Sequence, residues 1–453
     1  MKDITIIGAG LSGTLLAMNL LRQDSNDVIH IKLIDRNSES DLGPAYSTNE
    51  DYLLNVPAEM MGAFSQDPEH FLKWAGRKDI SASRGDYLQR KLYRKYILEM
   101  LTLALNERKE NKTLERIRGE VVNIKTNNRS AEIFIKERVG FSTDKVVLAL
   151  GNSPPRNLQT KNRLYIKDKR YVQNPWNPDI FKNLSPDATI IFIGTGQTMV
   201  DLVTALYKKK HTGKLITLSR HGVLPLSQKN VEPYPSFYNE LQGLSSMLSV
   251  FQIVRKHLGI ANEKGIDPRA VIDSLRPHTK AIWMQLPIEE KRRFLRHVFR
   301  YWEIIRSRIP PVSEEIIHKL LSSGQLEILT GRITDILPIE HRMEIQYLER
   351  GTETEKMVSA DSVVNCIGPD QDYERIDQTL IKNLINSRLI HCDPAHLGID
   401  ATPEGSVIKE DGTPSDILYT IGLPLKGIVW ESLAAPEIRA EAEELAKILL
   451  SGL

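Results

Sequence analysis

The feature that most constrains this chain lies at its start. Four β-branched residues, Ile4-Thr5-Ile6-Ile7, run into Gly8-Ala9-Gly10-Leu11-Ser12-Gly13, and residues 14–21 carry apolar side chains at helical spacing. A strand, a GxGxxG turn and a helix in that order make the first half of a dinucleotide-binding βαβ unit. Gly8 allows the tight bend, Gly10 lets backbone approach a pyrophosphate, and Gly13 lets the helix pack on the strand. The helix start offers unpaired N–H groups and a positive dipole end to phosphate. Residues 28–34 read as a second strand ending in Asp35, 22 residues beyond Gly13, where a carboxylate suits the ribose hydroxyls of an adenosine. The competing reading is a merely structural glycine turn; strand, helix and acid in sequence favour the dinucleotide.

A second turn of this kind lies mid-chain. Thr189-Ile190-Ile191-Phe192-Ile193 leads into Gly194-Thr195-Gly196-Gln197-Thr198-Met199, followed by an apolar helix over residues 200–206. Met199 stands where the third glycine would be, so helix and strand must pack more loosely or at another angle. The next strand, 215–218, runs into Ser219-Arg220-His221-Gly222. Arg220 lies 26 residues after Gly194 and Asp35 lies 27 after Gly8, so the two units align, and the acid of the first is matched in the second by a hydroxyl, Ser219, and an arginine, Arg220. A guanidinium there suits a ribose 2′-phosphate, which a carboxylate would repel. The first unit therefore points to FAD. The second points to NADPH, with Gly194, Gly196, Gln197, Thr198 and Arg220 as its binding residues. The plainer reading of Arg220 is a solvated turn residue.

Three strand-like stretches end in glycine: Val146-Val147-Leu148-Ala149-Leu150-Gly151, Ser362-Val363-Val364-Asn365-Cys366-Ile367-Gly368 and Ile417-Leu418-Tyr419-Thr420-Ile421-Gly422. At the carboxyl edge of an α/β sheet such glycines let backbone lie against a ligand. Their placement predicts an α/β fold with two Rossmann-like dinucleotide-binding units, the FAD domain being interrupted by an inserted NAD(P)-binding and helical domain. The expected boundaries are 1–165 and 331–453 for the FAD domain and 166–330 for the insertion, with 232–309 helix-rich. A length of 453 residues accommodates two or three domains.

Composition excludes more than it names. Sixty basic against 58 acidic residues leave a net charge of +2, too near neutral for a general nucleic-acid binder. No apolar run reaches the ~18 residues of a membrane span, and the run before Gly8 is too short for a secretory signal. Cys366 and Cys392 stand 26 apart, so neither a CxxC pair nor a disulfide framework is available, and a reducing, cytoplasmic setting is expected. The histidines show no HExxH or other familiar zinc spacing, so no metal is expected. The absence of a GxSxG elbow leaves a serine hydrolase unsupported.

Further motifs are Gly43-Pro44-Ala45-Tyr46, Leu54-Asn55-Val56-Pro57-Ala58 with Met60-Met61, and Arg84-Gly85-Asp86-Tyr87-Leu88. Later come Trp302 with Arg306 and Arg308 before Pro310-Pro311, then Asn365-Cys366-Ile367-Gly368-Pro369, and a tail over 427–439 that reads GIVWESLAAPEIR. Together with the two turns, these resemble the FAD/NAD(P)-binding family that includes bacterial flavin-dependent urate hydroxylases and aspartate N-hydroxylases. The resemblance runs in order along nearly the whole chain. It implies FAD held by Gly8, Gly10, Ser12, Gly13 and Asp35, with Gly151 near the pyrophosphate and Gly422 in the last glycine turn. It places Asn55 near the isoalloxazine, and aims the helix after Pro436 at the flavin, where its dipole would favour negative charge. Two departures stand out: Leu423 follows Gly422 where many flavoproteins carry an aspartate, and Met199 replaces a glycine.

Residues 291–308 hold seven Lys or Arg and His297, with Phe294, His297, Val298 and Tyr301 at helical spacing. The plain reading is a solvated basic face; the functional one is a lid near the NADPH phosphates or an anionic substrate. Arg306 and Arg308 are the candidate substrate fork, because a guanidinium reads a carboxylate or planar acidic heterocycle bidentately. Trp430 and Glu431 are candidates for a wall and a general base on the reacting face, against a packed tryptophan and a helix-capping acid. The function so implied is an FAD-dependent, NAD(P)H-using oxidoreductase. More specifically, it is a monooxygenase that uses O₂ to hydroxylate a small polar or anionic metabolite, by urate-type or amino-acid N-hydroxylation. Its rivals are an NADPH oxidoreductase with another acceptor, and a non-enzymatic protein that keeps the fold to bind a partner.

Overall fold

The computed structural model describes residues 2–451 except 37–41, 48–49, 128, 183, 353 and 433, so Leu433 of the tail motif lies outside the described residues. The first third of the chain holds β1 (Lys2–Ile7), α1 (Leu11–Arg22), β2 (Ile29–Asp35), α2 (His70–Arg77), α3 (Arg90–Asn106) and β3 (Lys112–Arg118). Then follow β4 (Val121–Thr126), β5 (Ala131–Ile135), β6 (Phe141–Thr143) and β7 (Lys145–Leu148). The middle holds β8 (Tyr171–Val172), β9 (Ile190–Ile193), α4 (Gln197–Lys208) and β10 (Leu215–Ser219). Helices α5 (Met247–Glu263), α6 (Pro268–Leu275), α7 (Thr279–Gln285), α8 (Ile288–His297), α9 (Phe299–Arg306) and α10 (Pro311–Ser322) come next. The last part holds β11 (Leu326–Ile339), β12 (Arg342–Glu349), β13 (Glu355–Ala360), β14 (Ser362–Asn365) and α11 (Thr379–Asn386). It closes with β15 (Ser406–Ile408), β16 (Pro414–Thr420), α12 (Lys426–Val429) and α13 (Ala435–Ser451).

Two sheets carry the nucleotide units, in the orders β15-β16-β7-β1-β2-β3 and β13-β12-β11-β10-β9-β14-β8. Strand β1 pairs in parallel with β2 and β7, and β9 with β10 and β14. Parallel neighbours need crossovers, which α1 and α4 provide. The sheets share a plan: β3-β2-β1-β7 matches β11-β10-β9-β14, and an antiparallel excursion precedes the last strand of each.

That plan corrects one boundary. Sequence spacing assigns residues 362–368 to the returning FAD half, but β14 pairs with β9 as β7 pairs with β1. A glycine-ended strand closes each unit, so the signal recurs per unit and does not mark the return to the first domain. The chain rejoins the first sheet only at β15 and β16.

Helix α1 is apolar on nearly every side because β1, α3 and α13 surround it, with Leu15, Leu16, Met18 and Leu20 fully buried. Its last carbonyls are capped from outside the helix: Lys112, itself buried, gives its ammonium to Leu20 O (2.6 Å) and Gln23 O. A cation there completes the negative end of the helix. Between the units, Arg90 of α3 meets Asp201 of α4 at 2.6 Å, and Arg90 also lies over the ring of Trp176. Both charged side chains are mostly buried, and burial pushes the Asp201 carboxyl up against the pull of Arg90.

Candidate functional site

Glycine geometry separates positions that meet protein from positions that meet open space. Gly8 has φ +108°, and a Cβ there would strike the Ala149 carbonyl. A Cβ on Gly13 would strike the carbonyl of Gly8, so the close approach of α1 to β1 depends on a hydrogen at residue 13. Gly10 caps α1 without a side-chain bond, and a Cβ on it would come no nearer than 3.8 Å, to Leu42 O. Gly151, at φ +63°, has nothing near its missing Cβ. Gly10 and Gly151 thus leave room beside the unpaired N–H groups of α1, a cradle of the shape a pyrophosphate fits. Asp35 takes the N–H of Ala9 at 2.8 Å, which fixes its carboxylate at the edge of that turn. Gly422, at φ +80°, lies against Ser12 and donates its N–H to Glu441 (3.2 Å), which also accepts from Ser432 (2.8 Å). Burial pushes the Glu441 carboxyl up to about 7.

The second turn repeats the first. Gly194 has φ +109° and donates to Leu218 O at 2.9 Å, as Gly8 donates to Ile34 O at 2.8 Å. Gly196 caps α4, again with open space beside it, and Gln197 and Thr198 begin the helix. Met199 is fully buried where Gly13 sits in the first unit. Strand register sharpens that alignment. Ile7 faces Ile34 and Ile193 faces Leu218, so Ser219 corresponds to Asp35 and Arg220 corresponds to Arg36. Of the hydroxyl and the arginine that spacing matches to Asp35, strand pairing gives the strand-end place to Ser219 and the next place to Arg220. Ser219 Oγ accepts from Thr195 Oγ1 (3.2 Å) and from the Gly222 N–H (3.0 Å).

Arg220 is exposed, and His221 beside it lies 3.1 Å from Arg350. Arg300 donates to Thr195 Oγ1 and Val223 O, both at 2.8 Å. Desolvation first, then the charges of Arg350, Arg220 and Arg300, hold His221 below its usual range. The mouth of this turn is therefore cationic. Arg300 belongs to the basic run that sequence reads either as a solvated face or as a lid near the NADPH phosphates, without singling this arginine out; the tertiary fold brings it to Thr195.

Asn55 links the two units. Its side-chain N–H donates to Gln197 Oε1 at 3.1 Å, and Gln197 donates to Arg308 O at 2.8 Å. Arg308 itself is 4% exposed and spends its fork on Asp273, with two bonds of 2.9 Å. It is a structural clamp, which corrects the expectation of a substrate ligand. Arg306 is shared between Glu431 (2.6 Å) and Glu437 in the first turn of α13 (3.2 Å). Burial pushes the Glu437 carboxyl up while Arg306 pulls it down. Trp430 is enclosed: its ring stacks on Trp283 at 4.4 Å and meets Phe294 and Phe299 edge-on. At 4% exposure it packs the helical region and presents no open wall, a second correction. Its φ of +64° is unusual for a bulky residue and is held by that packing.

Residues 5–153 match a family profile described as FAD-NAD(P)-binding. No curated protein sequence matches the chain. Among solved structures, the FAD-bound cadaverine monooxygenase DfoA from Erwinia amylovora superposes with a TM-score of 0.68 at 14% identity, covering 100% of this chain and 95% of that one. The ornithine N-hydroxylase KtzI from Kutzneria sp. 744, with reduced FAD, NADP⁺ and L-ornithine, gives 0.64 at 13% identity and 99% of both chains. Thioredoxin reductase from Lactococcus lactis gives 0.55 at 10% identity, covering 100% of this chain and 99% of that one. At these identities the likeness speaks to fold, a two-dinucleotide α/β architecture.

Proposed function

We propose that the chain is an FAD-dependent, NADPH-using oxidoreductase, and within that class a monooxygenase acting on a small polar, amine-bearing metabolite. The observation that carries this reading is the pair of matched turns with opposite chemistry at their strand ends: Asp35 in one, uncharged Ser219 in the other, followed by Arg220 and by His221, on which Arg220, Arg300 and Arg350 act. An acid suits an unphosphorylated adenosine ribose, and a cationic rim suits a 2′-phosphate. Bound flavin would supply hydride acceptance and oxygen activation. The residues of this chain supply the rest. Gly8, Gly10, Ser12, Gly13, Gly151 and Gly422 form the FAD cradle. Gly194, Gly196, Gln197 and Thr198 present the N-terminus of α4, and Asn55 tethers it to the flavin side. Glu431, already paired with Arg306, is the candidate to hold or move a proton near the tail.

The FAD domain comprises the N-terminal residues through about 165 and the chain after β14, with the nicotinamide and helical unit between. N-hydroxylating neighbours with this fold support an amine substrate over a urate-like one. The neighbouring thioredoxin reductase raises the rival of disulfide reduction. That chemistry needs two adjacent reactive thiols, whereas both cysteines here are unpaired and buried, and burial raises their thiols well above the usual range. Among the described residues no helix is long and apolar enough to cross a membrane. The test is direct: purified protein carries flavin absorbance, oxidises NADPH in preference to NADH, and couples this to O₂ consumption accelerated by diamines or basic amino acids. Colourless protein that cannot be reconstituted with FAD refutes the reading. NADPH oxidation indifferent to O₂ and to every amine refutes the monooxygenase part.

A further inference from the structure

Sequence spacing offers no metal motif, yet the fold brings together three ligand types from two loops. Asp372 follows β14, while Cys392 and His396 lie beyond α11, 20 and 24 residues further on. Asp372 Oδ1 is 3.5 Å from Cys392 Sγ and 3.3 Å from His396 Nδ1, and the three ligand atoms lie within 4.8 Å of one another. A tetrahedral ion with bonds of about 2.0–2.3 Å spaces its ligands at nearly such distances. Glu374 Oε2 stands 4.0 Å from His396 Nδ1, at hand for a fourth position. The surroundings hold the trio in place. Asp372 Oδ2 takes Arg375 at 2.7 Å, while Oδ1, steadied by the Glu374 N–H at 3.2 Å, faces the thiol and imidazole. His396 adopts φ +55°, fixed by Asp393, whose buried carboxylate takes the N–H groups of Ala395 (2.8 Å) and Leu397 (2.6 Å). Asp372 and Cys392 are each 8% exposed, whereas the His396 side chain is 44% exposed, so the site is walled by protein and open on one side.

We propose that Asp372, Cys392 and His396 bind a zinc-class divalent cation that ties the segment leaving the second sheet to the 391–399 loop. Thiolate and imidazole together select zinc over magnesium or calcium, which prefer all-oxygen sites. The loop so fixed abuts α12, since the Asp393 carboxylate fills the space beside Gly427. The role is structural: among the described residues, it staples the connection by which the chain returns to its first sheet.

The test uses full-length protein stripped by a chelator and then loaded with cobalt or zinc alone. One equivalent of cobalt is expected to give thiolate-to-metal charge-transfer absorbance, absent from Cys392→Ser. His396→Ala, at a half-exposed position that leaves the core intact, is expected to bind zinc at least about tenfold more weakly. Wild-type protein that shows no thiolate–cobalt absorbance overturns the proposal, and so does zinc affinity equal in wild type and His396→Ala. Neither readout depends on flavin or turnover, so its failure would leave the enzyme reading untouched.

Discussion

Ser219 holds, in the second nucleotide unit, the strand-end position that Asp35 holds in the first. Asp35 takes a backbone N–H from its own turn at Ala9; Ser219 takes a hydroxyl from its own turn at Thr195. One backbone place thus carries a full negative charge in one unit and none in the other, where Arg220, Arg300 and Arg350 gather around His221.

Placing a carboxylate at Ser219 is expected to disfavour a phosphorylated nucleotide. Ser219→Asp should raise the KM for NADPH about tenfold or more over that for NADH, about 1.4 kcal/mol of discrimination. Arg220→Ala and Arg300→Ala should act in the same direction, with steady-state kinetics on both coenzymes as the readout. An equal rise for both coenzymes would sink the assignment of this turn to the 2′-phosphate.

Two glycines five and two residues beyond Gly8 should respond oppositely to one added methyl. Gly13→Ala forces α1 off β1 and is expected to cost about 1–3 kcal/mol of stability. Gly10→Ala has space in the protein and should leave the melting temperature of flavin-free protein within about 2 °C of wild type. It should nonetheless weaken FAD binding about tenfold, or about 1.4 kcal/mol. Calorimetry of flavin-free protein with FAD titration separates the two, and unchanged FAD affinity in Gly10→Ala would contradict the cradle.

Glu441 should give stability a pH dependence of defined sign. Its folded carboxyl keeps a proton to about 7, an unfolded one only to about 4.3. The folded state therefore gains from this group below about 4.3 and loses that gain as pH climbs to 7. Glu441→Gln should match wild type near pH 4 and exceed it at pH 8 by about 4 kcal/mol at most. Thermal melts at the two pH values decide; a variant less stable at both would show that the ionised carboxylate is the stabilising form.

Trp430 should behave as packing. Trp430→Ala empties the contacts with Trp283, Phe294 and Phe299 and is expected to cost about 3–5 kcal/mol. Trp430→Phe should keep most of the stability and leave kcat within about twofold. A large fall in kcat without loss of stability in Trp430→Phe would return the residue to the reacting face.

Both glycine turns were legible because strand, turn and helix are local: a dozen residues state them, and Gly8 and Gly194 share one backbone geometry. Spacing offers both Ser219 and Arg220 as counterparts of Asp35, and which of them ends the strand is set by pairing of β9 with β10. What depends on tertiary approach was invisible. The basic run around Arg300 suggests a lid near the NADPH phosphates but not the bond to Thr195, nothing near Gly422 announces Glu441, and Arg308 looks free until Asp273 is seen in its fork. Trp430 carried two readings because a tryptophan beside an acid looks alike in a wall and in a core.

The Arg90–Asp201 pair has a mechanical consequence. Prising the two nucleotide units apart at that seam would strand a carboxylate in a wall shared with Tyr52 and Cys366, at a cost of several kcal/mol. The seam therefore behaves as a latch. Any motion that separates the two turns at this seam has to break that pair first.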